Sequence, residues 1–224
     1  MSFFTEQSPM RQSADGSRLR LSATAFVIAG ALFVLYPAIR PFSDEASLQG
    51  AMAFASTEWL VAHVLAMVAF TLLPLGLLGL HSSVEQTAAG PQAYGAVVLS
   101  LIGVGLTLPF YGGEAYGLHA IGQRAIREQS AALLDMAAVV RSGAGLVIFL
   151  VGLLLLAIAT VLAAIAIWKS GRYSKWSGIP LAVGVGLYIP QFFWPQPFRV
   201  AHGVLVATGC LWIAIGLWSQ NRRQ

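Results

Sequence analysis

The chain alternates between long uncharged stretches and short clusters of charge, and the uncharged stretches outrun what a soluble core needs. No Asp, Glu, Lys or Arg occurs in residues 21–39 or 59–80. A third apolar stretch begins near Tyr94 and lasts until Glu114, and three more cover residues 142–168, 176–198 and 200–221. About 20 apolar residues cross the hydrocarbon layer as a helix. A helix is required because lipid offers no partner to an unpaired backbone amide. The pattern predicts an all-α fold, a polytopic integral membrane helix bundle of six transmembrane helices. The fifth stretch carries Pro180, Pro190, Pro195 and Pro197. Pro180 suits a first helical turn, whereas Pro190 is expected to end or kink the helix. A re-entrant segment there would leave five full spans.

Between the spans, residues 46–57 and 114–141 are half apolar. Leu118, Ile121 and Ala125 recur at helical spacing, with Gln123, Arg124 and Arg127 elsewhere on the wheel. Ser130 is placed to cap a second helix carrying Leu133, Leu134, Met136 and Val140. This predicts an interfacial helical connector between spans three and four, either lying on the membrane or folded over the bundle mouth. A solvated connector is the alternative. Residues 1–19 are polar and irregular and read as a mobile cytoplasmic tail. Residues 20–220 then form a single six-helix transmembrane domain. The inner loops, 81–93 and 169–177, are too short to hold a catalytic domain, so any site belongs to the bundle or its outer mouth.

Composition agrees with this picture. Of 224 residues, 57% are hydrophobic and 10% charged, against about a quarter charged in soluble domains. Charge sets the orientation. Arg11, Arg18, Arg20, Lys169, Arg172, Lys175, Arg222 and Arg223 fall on one side. Arg40, Arg124, Arg127, Arg141 and Arg199 fall on the other, beside Asp44, Glu45 and Glu58. The positive-inside bias puts both termini in the cytoplasm, in the inner cell membrane. It also accounts for the net charge of +4 without nucleic acid as a partner. The first stretch reads as a retained span, because no small-x-small cleavage pattern follows its long core. Cys210, the only cysteine, sits in an apolar run with no metal-site spacing around it.

The intramembrane ionisable groups gather near the outer face. His63 lies about one turn inside the outer end of span two and His202 about one turn inside that of span six. Glu58, Glu114, His119 and Arg199 lie near the same boundary. Intramembrane histidines are costly enough to be site candidates. His63 and His202, with Glu114 as charge partner, are the candidate catalytic or ligating set, and a b-type haem or a divalent metal is what two facing imidazoles would hold. The plainer reading gives each ring a hydrogen bond to a neighbouring helix. No HExxH or paired-ligand spacing is present. Tyr111, Tyr116, Tyr188 and Trp194 cluster at the same height, either as an interfacial aromatic belt or as the walls of an outward-facing pocket shared with Glu58, His119 and Arg199.

There is also an internal echo. Leu35-Tyr36-Pro37 precedes Val61-Ala62-His63, and Leu187-Tyr188-Ile189-Pro190 precedes Val200-Ala201-His202. Span three ends in the looser Leu108-Pro109-Phe110-Tyr111. A duplicated two-helix hairpin would leave this trace, and so would a composition rich in Val, Ala and Leu. The functional expectation is a pocket that binds or modifies a lipid-like or small apolar ligand, with membrane lipids as surroundings. The alternatives are a transporter or channel with an outer His/Glu gate, a bis-histidine haem or metal redox protein, and a noncatalytic accessory subunit. Transport usually wants polar groups at the bilayer midplane, and none there is ionisable.

Overall fold

A computed structural model describes residues 9–221, with side chains described for residues 16–220. The first eight residues of the predicted tail lie outside the described residues, and from Pro9 onward the chain is helical. The described residues are mainly helical, with no strand among them. Five helices are long and apolar enough to cross a membrane. They are α1 (Pro9–Ile39), α3 (Thr57–Val84), α4 (Gly90–Gly112), α7 (Gly143–Ser170) and α9 (Gln196–Asn221). Ser56 starts α3 by accepting the Trp59 amide on its hydroxyl, 3.1 Å away. Gly171, at φ 65°, stops α7 in the left-handed conformation that glycine adopts without strain.

The fifth predicted span is not a continuous helix. Its regular part, α8 (Ile179–Gly186), has eight residues. Proline at 190 lacks the amide that would bond the Gly186 carbonyl, so the helix cannot run on through it. The chain continues as a short 3₁₀ turn, Pro190–Phe193, before α9 begins. The broken segment nevertheless follows α9 in antiparallel fashion. Tyr173 lies against Gly216, Leu181 against Gly209, Gly184 against Val206 and Tyr188 against His202.

Around the bundle, the order in space repeats the order in sequence: α1 packs on α3, α3 on α4, α4 on α7, α7 on α8 and α8 on α9. The ring is closed by α9 packing on α1. Its core is filled by Phe26, Phe70, Leu73, Leu77, Leu153, Leu156 and their neighbours. At the end of the bundle away from the cavity Tyr173 shares a 2.5 Å hydrogen bond with Ser83, and Arg172 donates to the Ser83 carbonyl. Burial pushes the Tyr173 phenol up to about 12.

The connector folds over the mouth, the second of its two predicted placements. The α4 column does not stop at the membrane face. It passes through one π-helical turn, Gly113–Gly117, straight into α5 (Leu118–Glu128), giving 39 residues of unbroken helix. At 1.5 Å per residue that is about 58 Å, roughly twice the hydrocarbon thickness, so the column is longer than one crossing needs. It ends at Gln129 (φ 51°), where Ser130 N bonds Ala125 O and Gln129 N bonds Ile126 O, a Schellman closure built on a non-glycine residue. A 3₁₀ turn, Ala131–Leu134, leads into α6 (Asp135–Val140).

These pieces pack on α2 (Leu48–Ala55) to form a small cap with its own core of Ala51, Phe54, Trp59, Leu118, Ala125, Leu134 and Ala137. Leu118 and Ala125, expected on the apolar face, are both buried there. Gly122 permits the close contact with α2, since a Cβ on it would lie 2.7 Å from both Ala51 O and Phe54 Cβ.

Candidate functional site

The π turn is what brings Glu114 into the protein. One such turn inserts an extra residue and re-aims the side chains around it, and here it leaves Glu114 buried at the end of the α4 column. The Trp59 indole N–H donates to the Glu114 carbonyl at 2.7 Å, tying the first turn of α3 to the π turn. The Glu114 carboxylate is held by the fork of Arg141, with Nε at 2.5 Å and Nη2 at 2.9 Å. Arg141 reaches on through Nη1 to Glu45 Oε2 at 2.5 Å, and Glu45 Oε1 accepts from Arg40 at 2.8 Å. Two carboxylates and two guanidiniums thus form one chain of charge in which each carboxylate is neutralised.

Both loop members of this chain are perturbed by it. Burial alone would raise the Glu45 carboxyl, but Arg141 and Arg40 together hold it below its ordinary value. Burial alone would lower Arg141, but Glu114 and Glu45 outweigh it and its pKa rises. Arg141 is charged at any accessible pH.

His63 abuts the network from inside the ring. It is 1% exposed, and its Nδ1 lies 2.7 Å from the Trp59 carbonyl, so that nitrogen must donate. Nε2 then faces Glu114 Oε2 at 3.7 Å.

Beside this edge opens a cavity of about 620 Å³. Its polar wall is His63, Glu114, Arg141, Glu45, Arg40, Ser43 and Arg199. Its apolar wall is aromatic and aliphatic, with Tyr36, Phe42, Phe110, Tyr111, Phe149 and Phe192 joined by Leu146, Leu150 and Ile189. Phe193 also lines it and is 86% exposed, so the cavity reaches the surface where α8 has broken off.

At the centre of the ring, Tyr111 and Tyr188 share a hydrogen bond of 2.9 Å, and the ring of Tyr36 lies 6.0 Å from that of Tyr111. Each of the three tyrosines meets an aromatic ring of the next long helix edge-on. Tyr36 meets His63 at 5.5 Å and 70°, Tyr111 meets Phe149 at 6.0 Å and 66°, and Tyr188 meets His202 at 5.4 Å and 74°. The echo seen between the first and last hairpins therefore has a spatial counterpart, and the middle hairpin shares it with phenylalanine in place of histidine.

Of the residues singled out from sequence, His63, Glu114, Tyr111 and Arg199 line the cavity, and Tyr188 supports it through Tyr111. The others lie elsewhere. His202 is spent on structure, with Nε2 donating to the Gly184 carbonyl at 2.6 Å and so clamping α9 to the broken segment. Tyr111 and Tyr188 stand between the two imidazoles, the Tyr111 ring 6.2 Å from His63 and the Tyr188 ring 5.4 Å from His202. His119 belongs to the cap, where Nδ1 donates to Phe54 O and Nε2 accepts from Gln123. Glu58 and Tyr116 are exposed. Trp194 is half-buried against His202 and offers its carbonyl to Arg199.

Among the described residues no three His, Cys, Asp or Glu side chains converge as a metal-binding group. Sequence reasoning passed over Arg40, Glu45 and Arg141 as topology markers. The available signal was that charges of both signs crowd the end of span one and the start of span four. Comparisons with protein-family models, curated proteins and solved structures gave no match, so the reading of this site rests on its geometry.

Proposed function

We propose that this is an inner-membrane protein whose outer mouth binds a small amphipathic or lipid-like ligand. In this reading the broken segment counts as a sixth crossing, which returns the chain to the side it started from, and the positive-inside bias makes that side the cytoplasm. The cavity carries the proposal. It joins an aromatic and aliphatic wall to a single polar edge, the composition expected of a small-molecule site, and it sits beneath a cap with its own core. His63 is the residue placed to engage a ligand's polar group. Its Nε2 and Glu114 Oε2 are both acceptors when the ring is neutral, and a hydroxyl or amine donor fits between them. The inner bundle is packed with aliphatic and aromatic side chains, which does not favour the gate or relay of a transporter.

The test is direct. Protein purified in an uncharged maltoside detergent is analysed by native mass spectrometry for co-purified small molecules, beside Phe149→Ala and Leu150→Trp variants. The proposal expects a bound amphipathic species whose occupancy falls when Leu150→Trp fills the cavity. Equal occupancy in the filled variant, or an empty wild-type protein that takes up no added single-chain amphiphile, rejects it.

A further inference from the structure

The charges lining the cavity do not balance. Arg40, Arg141 and Arg199 face Glu45 and Glu114, and the ion pairs account for both carboxylates: Glu114 with Arg141, and Glu45 with Arg141 and Arg40. Arg199 has no acidic partner in this set. Its Nε donates to the Trp194 carbonyl at 2.7 Å and its Nη2 to the Phe192 carbonyl. These bonds fix the guanidinium in place without neutralising it. Fixing a partly buried cation beside a cavity is costly unless an anion answers it.

Two more observations mark the same spot. The guanidiniums of Arg199 and Arg40 both pack on the ring of Phe42, at 4.9 and 4.8 Å from its centroid. The Phe42 ring thus holds two like charges close to one another. Next to it, the Ser43 hydroxyl is buried without any hydrogen-bond partner, and Ser43 lines the cavity. Buried hydroxyls nearly always find a partner. An unanswered cation, a second cation sharing one aromatic ring with it, and an orphaned donor converge at one place on the polar wall of the cavity.

We infer that the ligand is a single-chain amphipathic anion, its carboxylate or phosphate received between Arg199, Arg40 and Ser43 and its chain laid along Leu146, Phe149, Leu150 and Phe192. This rests on the ligand-binding reading above and adds to it a headgroup site, separate from the donor position between His63 and Glu114. A guanidinium fork matches the planar geometry of a carboxylate and the oxygens of a phosphate equally well, so the headgroup chemistry is an oxyanion and the two sources separate by experiment.

The full-length protein in maltoside detergent is titrated with dodecanoate, dodecyl phosphate, dodecanol and inorganic phosphate, following tryptophan fluorescence. Expected is binding of at least one dodecyl anion about tenfold tighter than dodecanol, and no saturable binding of inorganic phosphate alone. Arg199→Gln should erase the preference for anion over alcohol, and Arg199→Lys, which keeps the charge and controls for folding, should retain most of it. Dodecanoate binding alone identifies a carboxylate, and dodecyl phosphate binding alone identifies a phosphate. Equal affinity for dodecanol and the anions in the wild type overturns the anion inference while leaving the pocket standing. Inorganic phosphate binding as tightly as dodecyl phosphate overturns the role of the chain. No binding of any dodecyl probe fails the pocket reading itself.

Discussion

Removing Arg141 strips its strongest partner from a buried carboxylate, and the consequences can be worked through. Arg141→Met keeps the length of the side chain and discards its charge and its fork. Glu114 loses two hydrogen bonds, at 2.5 and 2.9 Å, while Glu45 retains Arg40. Breaking a buried pair by deleting one member costs about 3–5 kcal/mol. The Arg141 side chain is 29% exposed and that of Glu114 10%, so water relieves part of the penalty and about 3 kcal/mol is the figure expected. Glu114→Gln leaves Arg141 its bond to Glu45 and should cost about 2 kcal/mol. The double variant leaves no unpaired charge and should also cost about 2 kcal/mol, so the two sites couple by about 3 kcal/mol.

Hydrogen exchange read by mass spectrometry suits this test, because the damage is local to the cap. Peptides from Leu118–Glu128 and Asp135–Val140 should exchange about a hundredfold faster in Arg141→Met, with α1 and α7 unchanged. Additive effects, with coupling below about 0.5 kcal/mol, would refute the claim that this pair fastens the cap.

Other outcomes follow from named contacts. Tyr111→Phe leaves the Tyr188 hydroxyl buried without its 2.9 Å partner and should cost about 1–3 kcal/mol; thermal unfolding beside the wild type decides it. Gly122→Val should loosen the cap by about 1–3 kcal/mol through overlap with Ala51 and Phe54, seen as faster exchange in Leu48–Ala55. Glu45 has its folded pKa depressed, so its contribution is fully present above the ordinary carboxylate value near 4.5 and is lost as pH falls through the lower folded value. Cap exchange should therefore quicken on acidification below that point, and Glu45→Gln should flatten the response. His202→Ala should weaken the contact of the broken segment with α9 and lower thermal stability, while His63→Ala should change ligand affinity more than stability; the reverse pattern would exchange the roles assigned to them.

The five long helices were legible because lipid imposes a simple demand. A charge inside a span is expensive, so the spans declare themselves by its absence, and residues 21–39 and 59–80 fall within α1 and α3. Pro190 likewise announced the break in the fifth stretch. The cap was half legible: the spacing of Leu118, Ile121 and Ala125 gave the helix and its apolar face. Nothing in the local pattern says that Glu114 sits in a π turn, or that Arg141 pairs with a glutamate 96 positions earlier in the chain. Ion-pair partners are chosen by the fold, not by periodicity. His63 and His202 are the clearest case. They occupy like positions in like tripeptides, yet one meets a carboxylate and the other a backbone carbonyl, because α8 ends two residues beyond the glycine that receives His202.

The ring order carries a consequence for how the molecule is made. Every seam but one joins membrane-crossing segments that follow one another along the chain, so each can form soon after its second member leaves the ribosome. The exception is the seam between α1 and α9, where Gly30 lies 3.1 and 3.2 Å, measured from an added Cβ, from the Ala207 Cα and Cys210 Cβ. Its first half is synthesised early and waits for its partner until the rest of the ring has been inserted. Lipid makes that wait inexpensive, since acyl chains cover an apolar helix face as readily as another helix does. Beside the cavity Tyr36, Tyr111 and His63 wait as well, and Tyr188 arrives only with the last hairpin. The polar centre of the site is thus completed in the final act of biogenesis, when α9 slots against α1 and closes the wall.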